Sequence, residues 1–172
     1  MAERKFIEAI CDILVDLNKM KPERAENLKK SFQGSEKQYF DEFLLDEGLV
    51  QEEDLLQALE LYYNKSAVDV TGLFFERHLL HMFPKDLLLR CGMIPREVDE
   101  NIMIMIVSDP FDTRLLKLIG DYVSYDIRFQ VGIRRQICNA VKAFYDKSPT
   151  ETPDAEENEE EATGGKWPDV LS

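Results

Sequence analysis

The run Ile102-Met-Ile-Met-Ile-Val107 constrains the fold more than any other stretch. An unbroken apolar segment of this length suits a buried strand better than one with a wet face. Asp109 and Pro110 then predict a helix start. Asp is a favoured N-cap, and Pro fits the first helical turn, where its missing N–H costs nothing. Asp112 places negative charge at the same N-terminus, which the helix dipole favours. Beyond the expected helix over 110–123, Asp126–Val131 alternates as a strand with one covered face should. Two strands joined through a helix are expected to be parallel, with a right-handed crossover. Upstream, Met93–Val98 is a further strand that turns tightly through Asp99-Glu100, and Pro95 within it suits an edge or an irregular position.

Residues 3–64 carry helical periodicity throughout. Phe6, Ile7, Ile10, Ile13, Leu14 and Leu17 recur at three- and four-residue steps. Pro22 opens a second helix with Ala25, Leu28 and Phe32, and Gly34 ends it. Ser35-Glu-Lys-Gln38 has the form of a capping box for a third helix through Phe43 and Leu44, which Gly48 terminates. Glu52-Glu53-Asp54 starts a fourth. A shift of 30 residues superposes Ile13-Leu-Val-Asp16 on Phe43-Leu-Leu-Asp46, Asn18 on Gly48 and Ala25 on Leu55. Each copy reads helix, tight turn, helix, and two such hairpins can bury their apolar faces against each other.

The expected class is therefore α+β. A helical subdomain over 1–65 precedes a small three- to four-stranded α/β subdomain over 66–146. Within the latter, Ala67–Thr71 is a short strand candidate, Phe74–Phe83 a helix, and Pro84–Leu89 another that ends at Gly92. Residues 147–172 form an acidic tail with low hydrophobicity and high charge, for which disorder is expected. The net charge of −13 is split unevenly: −6 falls on 147–172 and −7 on 1–146. No strongly basic stretch offers itself to phosphates, so nucleic acid is not an expected partner. No apolar run approaches the ~20 residues of a membrane helix, so direct insertion is not expected. The amino terminus is too acidic and too short of apolar residues for a signal peptide.

Little in the chain points to catalysis. The phosphate-cradling Gly-x-x-x-x-Gly-Lys-Ser/Thr loop is missing, and Gly164-Gly-Lys166 lacks the strand and helix that would make it one. His78 and His81 have a spacing that could share a metal, but no further ligand pattern accompanies them, and His81 is expected to be partly buried beside Phe83. Cys11, Cys91 and Cys138 match no metal or disulfide spacing and suit buried thiols in a reducing compartment. No cofactor and no enzymatic activity are expected. Met103 and Met105 suit core filling. Trp167, with Val170 and Leu171, stands in the tail as a docking anchor that orders on binding.

Residues ~10–146 resemble the N-terminal domain of type II secretion and type IV pilus assembly ATPases, as one compact domain. The resemblance rests on Phe43-Leu-Leu-Asp-Glu-Gly-Leu-Val50 with Leu55-Leu-Gln-Ala-Leu59, on Val68-Asp-Val70, on Met93-Ile-Pro95, on Ile106-Val-Ser-Asp-Pro110 followed by Asp112, and on the closing helix Ile137–Tyr145. It implies a non-catalytic module that docks a protein of a secretion or pilus machine, an ATPase and the cytoplasmic part of an inner-membrane platform among them. The location implied is cytoplasmic, peripheral to the inner membrane through a partner.

Some members of that family bind cyclic di-GMP through two tandem motifs about 30 residues apart. Each begins Arg-Leu-Gly, passes a Gly-Leu/Ile turn and ends near a Gln. Here Ala9-Ile-Cys11 and Tyr39-Phe-Asp41 stand in place of Arg-Leu-Gly, Asn18 replaces the first turn glycine, and Tyr62 occupies the terminal Gln position. The positions of the second motif that remain, Leu44, Gly48, Leu55 and Leu59, are the vestigial nucleotide-binding set. Without the arginines the planar donors suited to phosphate and guanine are gone, and Asp41 adds repulsion. The alternative function is a nucleotide sensor with degenerate motifs.

Overall fold

A computed structural model describes residues 2–35 and 39–146. The chain divides into two compact units, residues 1–140 and 141–172.

The helical half holds α1 (Ala2–Asp16), α2 (Pro22–Gln33), α3 (Phe40–Asp46) and α4 (Glu52–Tyr63). Its 30-residue repeat is present in the backbone. Asn18 and Gly48 both adopt the left-handed conformation, at φ 61 and 67. The Asn18 and Gly48 N–H groups donate to Val15 and Leu45, and Lys19 and Leu49 donate to Leu14 and Leu44. These paired bonds are the Schellman closure of a helix C-terminus. Lys21 and Gln51, both extended, then lead into α2 and α4. Equivalent side chains share the core: Ile10 with Phe40, Leu14 with Leu44, Met20 with Val50, and Ala25 with Leu55 are all buried.

The second half holds α5 (Arg77–Leu80), α6 (Lys85–Cys91), β1 (Met93–Asp99), β2 (Ile102–Val107), α7 (Leu115–Gly120), β3 (Asp126–Val131) and α8 (Arg134–Asp146). The sheet order is β1-β2-β3. β1 and β2 are antiparallel, with a bulge between Pro95 and Glu97, while β2 and β3 run parallel as expected. Pro95 lies in an edge strand, where a missing donor is tolerated. Val131 and Ile133 join the core of the helical half and carry it against β3.

Five expectations are corrected. The helix forecast over 110–123 is only α7. Asp109 instead accepts the Phe111 N–H at 3.0 Å, and Asp112 accepts the Arg114 N–H at 3.0 Å. These two side-chain turns hold the backbone out of a helix until Leu115, because a short carboxylate competes with the helical ladder. The helix forecast over Phe74–Phe83 is one turn, Arg77–Leu80. The strand at 67–71 is a single bridge from Ala67 to Val131, followed by a 3-10 turn at Val70–Gly72 that Asp69 caps. α3 begins at Phe40 without a side-chain cap, and the Ser35 hydroxyl donates back to the Phe32 carbonyl at 2.9 Å. β2 is covered fully only from Met105 onward, since Ile102 and Ile104 are half-buried.

Among the described residues no helix is long and apolar enough to cross a membrane. Trp167, Val170, Leu171 and the rest of 147–172 lie outside the described residues.

Candidate functional site

A cavity of about 520 Å³ opens between α1, the start of α3, the end of α4, and the loops after α6 and β2. Six aromatic rings line it: Phe6, Tyr39, Phe40, Tyr62, Tyr63 and Phe111. Four of them form one edge-to-face cluster. Phe6 meets Tyr62 at 5.3 Å between centroids, Tyr62 meets Tyr63 at 4.8 Å, and Tyr63 meets Phe111 at 4.9 Å. Phe111 remains 57% exposed, which places a large ring at the mouth.

Three arginines and three aspartates complete the wall: Arg90, Arg114, Arg134, Asp41, Asp109 and Asp112. Two of the guanidinium groups are committed to the protein itself. Arg114 forks onto Asp112, Nε to Oδ1 at 3.0 Å and Nη2 to Oδ2 at 2.8 Å, and this pair holds the Asp112 carboxyl below its ordinary range. Arg134, at the start of α8, donates through Nη2 to the Arg90 and Leu89 carbonyls at 2.9 and 3.3 Å. Its Nη1 reaches the Ser108 Oγ at 3.3 Å, and the guanidinium carbon lies 4.5 Å from the centre of the Tyr39 ring. Arg90 stands on the exposed rim.

Gly92 makes this arrangement possible. It terminates α6 at φ 65, and a Cβ there would sit 2.6 Å from both Arg134 Nη1 and Ser108 Oγ. The neighbouring Arg135 pairs with Asp46 and so ties α8 to α3.

Asp41 and Asp109 have no side-chain cation bonded to them among the described residues. Burial pushes the half-buried Asp41 carboxyl above its ordinary value, against backbone N–H bonds from Glu42 and Asp41 that hold it down. Asp109 is also raised, by burial first and then by the charge of Asp112. Burial holds the Tyr63 phenol protonated, and the charges of Asp109, Tyr62 and Asp41 add to that effect. The wall thus offers π faces, carboxylate acceptors and the exposed Arg90 guanidinium, while the donors of Arg114 and Arg134 are already satisfied. It holds neither a nucleophile activated by a base nor, among the described residues, any group of three His, Cys, Asp or Glu placed for a metal.

Tyr39, Phe40, Asp41 and Tyr62, which stand at the altered motif positions, converge on this one cavity, and Leu59 lines it with them. Leu44 and Leu55 are core residues at 0% exposure, and Gly48 is at the exposed turn after α3. His78 and His81 line a separate open groove with Phe74 and Met82; His81 is exposed, not partly buried as expected. Cys11 is buried and its thiol is pushed up to about 11 by burial, whereas Cys91 and Cys138 are only half-buried. Phe6, Phe111 and Arg134 gave no sequence signal of a site role. Their proximity arises from α1, β2 and α8 meeting in space.

Residues 75–151 match the family described as MshEN domain. Two solved structures share the fold. One is described as MshE with cdg (cyclic di-GMP), with a TM-score of 0.62 and 16% identity over 79% of this chain and 98% of that one. The other is the N-terminal domain of XpsE, with a TM-score of 0.57 and 18% identity over 78% of this chain and 92% of that one. None of the curated proteins matches the chain in sequence.

Proposed function

We propose, from the match of residues 75–151 to the MshEN domain and the fold shared with MshE and the N-terminal domain of XpsE, that the chain is the kind of module found at the N-terminus of type II secretion and type IV pilus assembly ATPases, a regulatory module that docks a protein of a secretion or pilus system. The N-terminal domain of secretion ATPases is itself non-catalytic, and the module works by binding alone. Its place is the cytoplasmic face of the inner membrane, reached through its partner.

The observation that carries the choice of a protein partner over a nucleotide is the cavity wall. Tyr39 and Tyr62 stand where the motif arginine and glutamine belong, and Asp41 faces inward. Interface anchors are typically aromatic residues at the centre of a patch whose rim excludes water, and the exposed Phe111 ring is available to a partner as such a centre. Trp167, Val170 and Leu171 supply a second anchor in the tail.

The reading is tested by capture of a purified platform-protein cytoplasmic domain and of a secretion ATPase on immobilised module, with and without residues 147–172. Saturable binding of either partner supports it. Binding of neither, by either form, refutes it.

The second reading, a cyclic di-GMP sensor, is favoured by the likeness to MshE with cdg and by Arg90 at the cavity rim. Calorimetry decides between them. Titration to ~100 μM without heat excludes a tight signalling site, whereas micromolar affinity, about −8 kcal/mol, replaces the first reading with the second.

A further inference from the structure

Apart from Arg90 on the rim, the cavity offers acidic and aromatic groups. Asp41 comes from the first turn of α3 and Asp109 from the loop after β2, two elements far apart in sequence. Both line the same space with no cation hydrogen-bonded to them among the described residues, since Asp112 takes Arg114 and the carbonyls of α6 take Arg134, whose charge reaches the two carboxylates only at longer range. Tyr62 and the exposed Phe111 ring line the same cavity, 5.8 Å apart between centroids. A planar cation fits such a place. It can lie against an aromatic face and give its N–H groups to carboxylates, a combination in which a guanidinium surpasses an ammonium. The wall already shows half of this recognition, because Arg134 stacks over Tyr39 at 4.5 Å. The cavity wall itself balances three arginines against three aspartates, and the chain around it agrees in sign, since residues 1–146 carry a net −7 that favours cations.

Resting on the proposed docking function, we infer that this cavity is a socket for an arginine side chain presented by the protein partner, stacked against Tyr62 and Phe111 and bonded to Asp41 and Asp109. The arginine brings the donors that the motif positions at Tyr39 and Tyr62 lack. It also brings a directly bonded cation to two carboxylates that otherwise feel only the more distant charges of Arg134 and, at Asp109, Arg114. A buried, forked arginine is the kind of contact that dominates an interface when truncated.

The full chain is titrated with tri-arginine amide, tri-citrulline amide and tri-glutamate amide at about 150 mM salt, which screens exposed charges beyond roughly 8 Å. Binding is followed in the amide spectrum. Tri-arginine should move the resonances of residues 39–41, 62–63 and 109–111. Tri-citrulline, of the same shape without the charge, should bind at least about tenfold more weakly, and tri-glutamate should leave these residues unmoved. The Asp41→Asn/Asp109→Asn variant, in which each side-chain oxygen can still accept its backbone N–H, should weaken tri-arginine by about tenfold or more. Asp16→Asn, at an exposed position, should change it by less than about twofold.

Shifts scattered along the acidic surface, equal binding of citrulline, or full binding by the double variant would each overturn the inference. The double variant is then tried in partner capture. If wild type and double variant capture equally, the socket falls and the docking function stands. If wild type captures nothing, the docking function falls, and the tri-arginine titration still reports on the cavity by itself.

Discussion

Gly92→Ala is the sharpest single test of how the cavity wall is assembled. Two costs are written in the structure. A side chain at φ 65 places the residue in the left-handed region, which costs roughly 1–2 kcal/mol for anything but glycine. The new Cβ also falls 2.6 Å from Arg134 Nη1 and from Ser108 Oγ. Both atoms are ends of movable side chains, so the backbone need not shift. Relief comes by giving up the 3.3 Å bond between them. A hydrogen bond to a charged group contributes about 1.5–3 kcal/mol. The expected loss is therefore about 2.5–5 kcal/mol, a large share of the stability of a domain this size.

Urea unfolding reads it as a lower midpoint at an unchanged slope. A double-mutant cycle separates the two parts. Ser108→Ala removes one of the clashing atoms and lets Arg134 move aside, so the double variant should lose less than the two single variants together, by about 1 kcal/mol or more. The Arg134 Nε–H resonance, shifted by the Tyr39 ring, should move in Gly92→Ala and not in a distant variant of equal stability. A loss below ~1 kcal/mol for Gly92→Ala, or strict additivity with Ser108→Ala, would refute the crowding of Gly92, Ser108 and Arg134 into one joint.

Three further outcomes are expected. Gln136 is buried at 4% exposure and neither of its amide atoms has a hydrogen-bond partner among the described residues, so Gln136→Met should stabilise by about 1–3 kcal/mol in urea unfolding; an unchanged or lower midpoint would mean that the amide is satisfied. Asp41 has a folded pKa above its ordinary 3.8, so the fold favours its protonated form, a contribution present below 3.8 and lost as pH rises through the folded value. Asp41→Asn should accordingly raise the melting temperature at pH 7, and the gain should shrink to nothing near pH 3; an equal gain at both pH values would show that charge is not the cause. Gly48→Val, at φ 67, should cost about 1–2 kcal/mol in thermal unfolding, whereas Asn18→Gly in the equivalent turn should change stability by less than about 0.5 kcal/mol; a neutral Gly48→Val would remove the conformational argument for the repeat.

The helical half was legible because its determinants are local. Asn18 and Gly48 mark the two turns by a backbone conformation that few residues tolerate, and the apolar spacing around them follows the helix period. The parallel pair β2 and β3 was legible for a similar reason, since the apolar run and the alternating run each declare a strand. The loop between them was misread at Asp109 and Asp112. Aspartate caps helices and closes turns with the same hydrogen bond, donated by an N–H two residues on to its carboxylate. Local preference is evenly poised there, and the outcome depends on what surrounds the loop. Asp109 and Phe111 are held at the cavity against Tyr62 and Tyr63, and a helix starting at Pro110 would rearrange the backbone that presents them. The site was legible only through Tyr39, Phe40, Asp41 and Tyr62, whose departure from an expected motif is itself a signal. Phe6 follows the helix period only as an apolar position, and Phe111 and Arg134 follow no period or motif, because what unites the three is the meeting of distant segments at one loop. The misread loop and the unforeseen residues thus share a cause: where the chain builds its cavity, contacts between distant segments override the preferences of each segment alone.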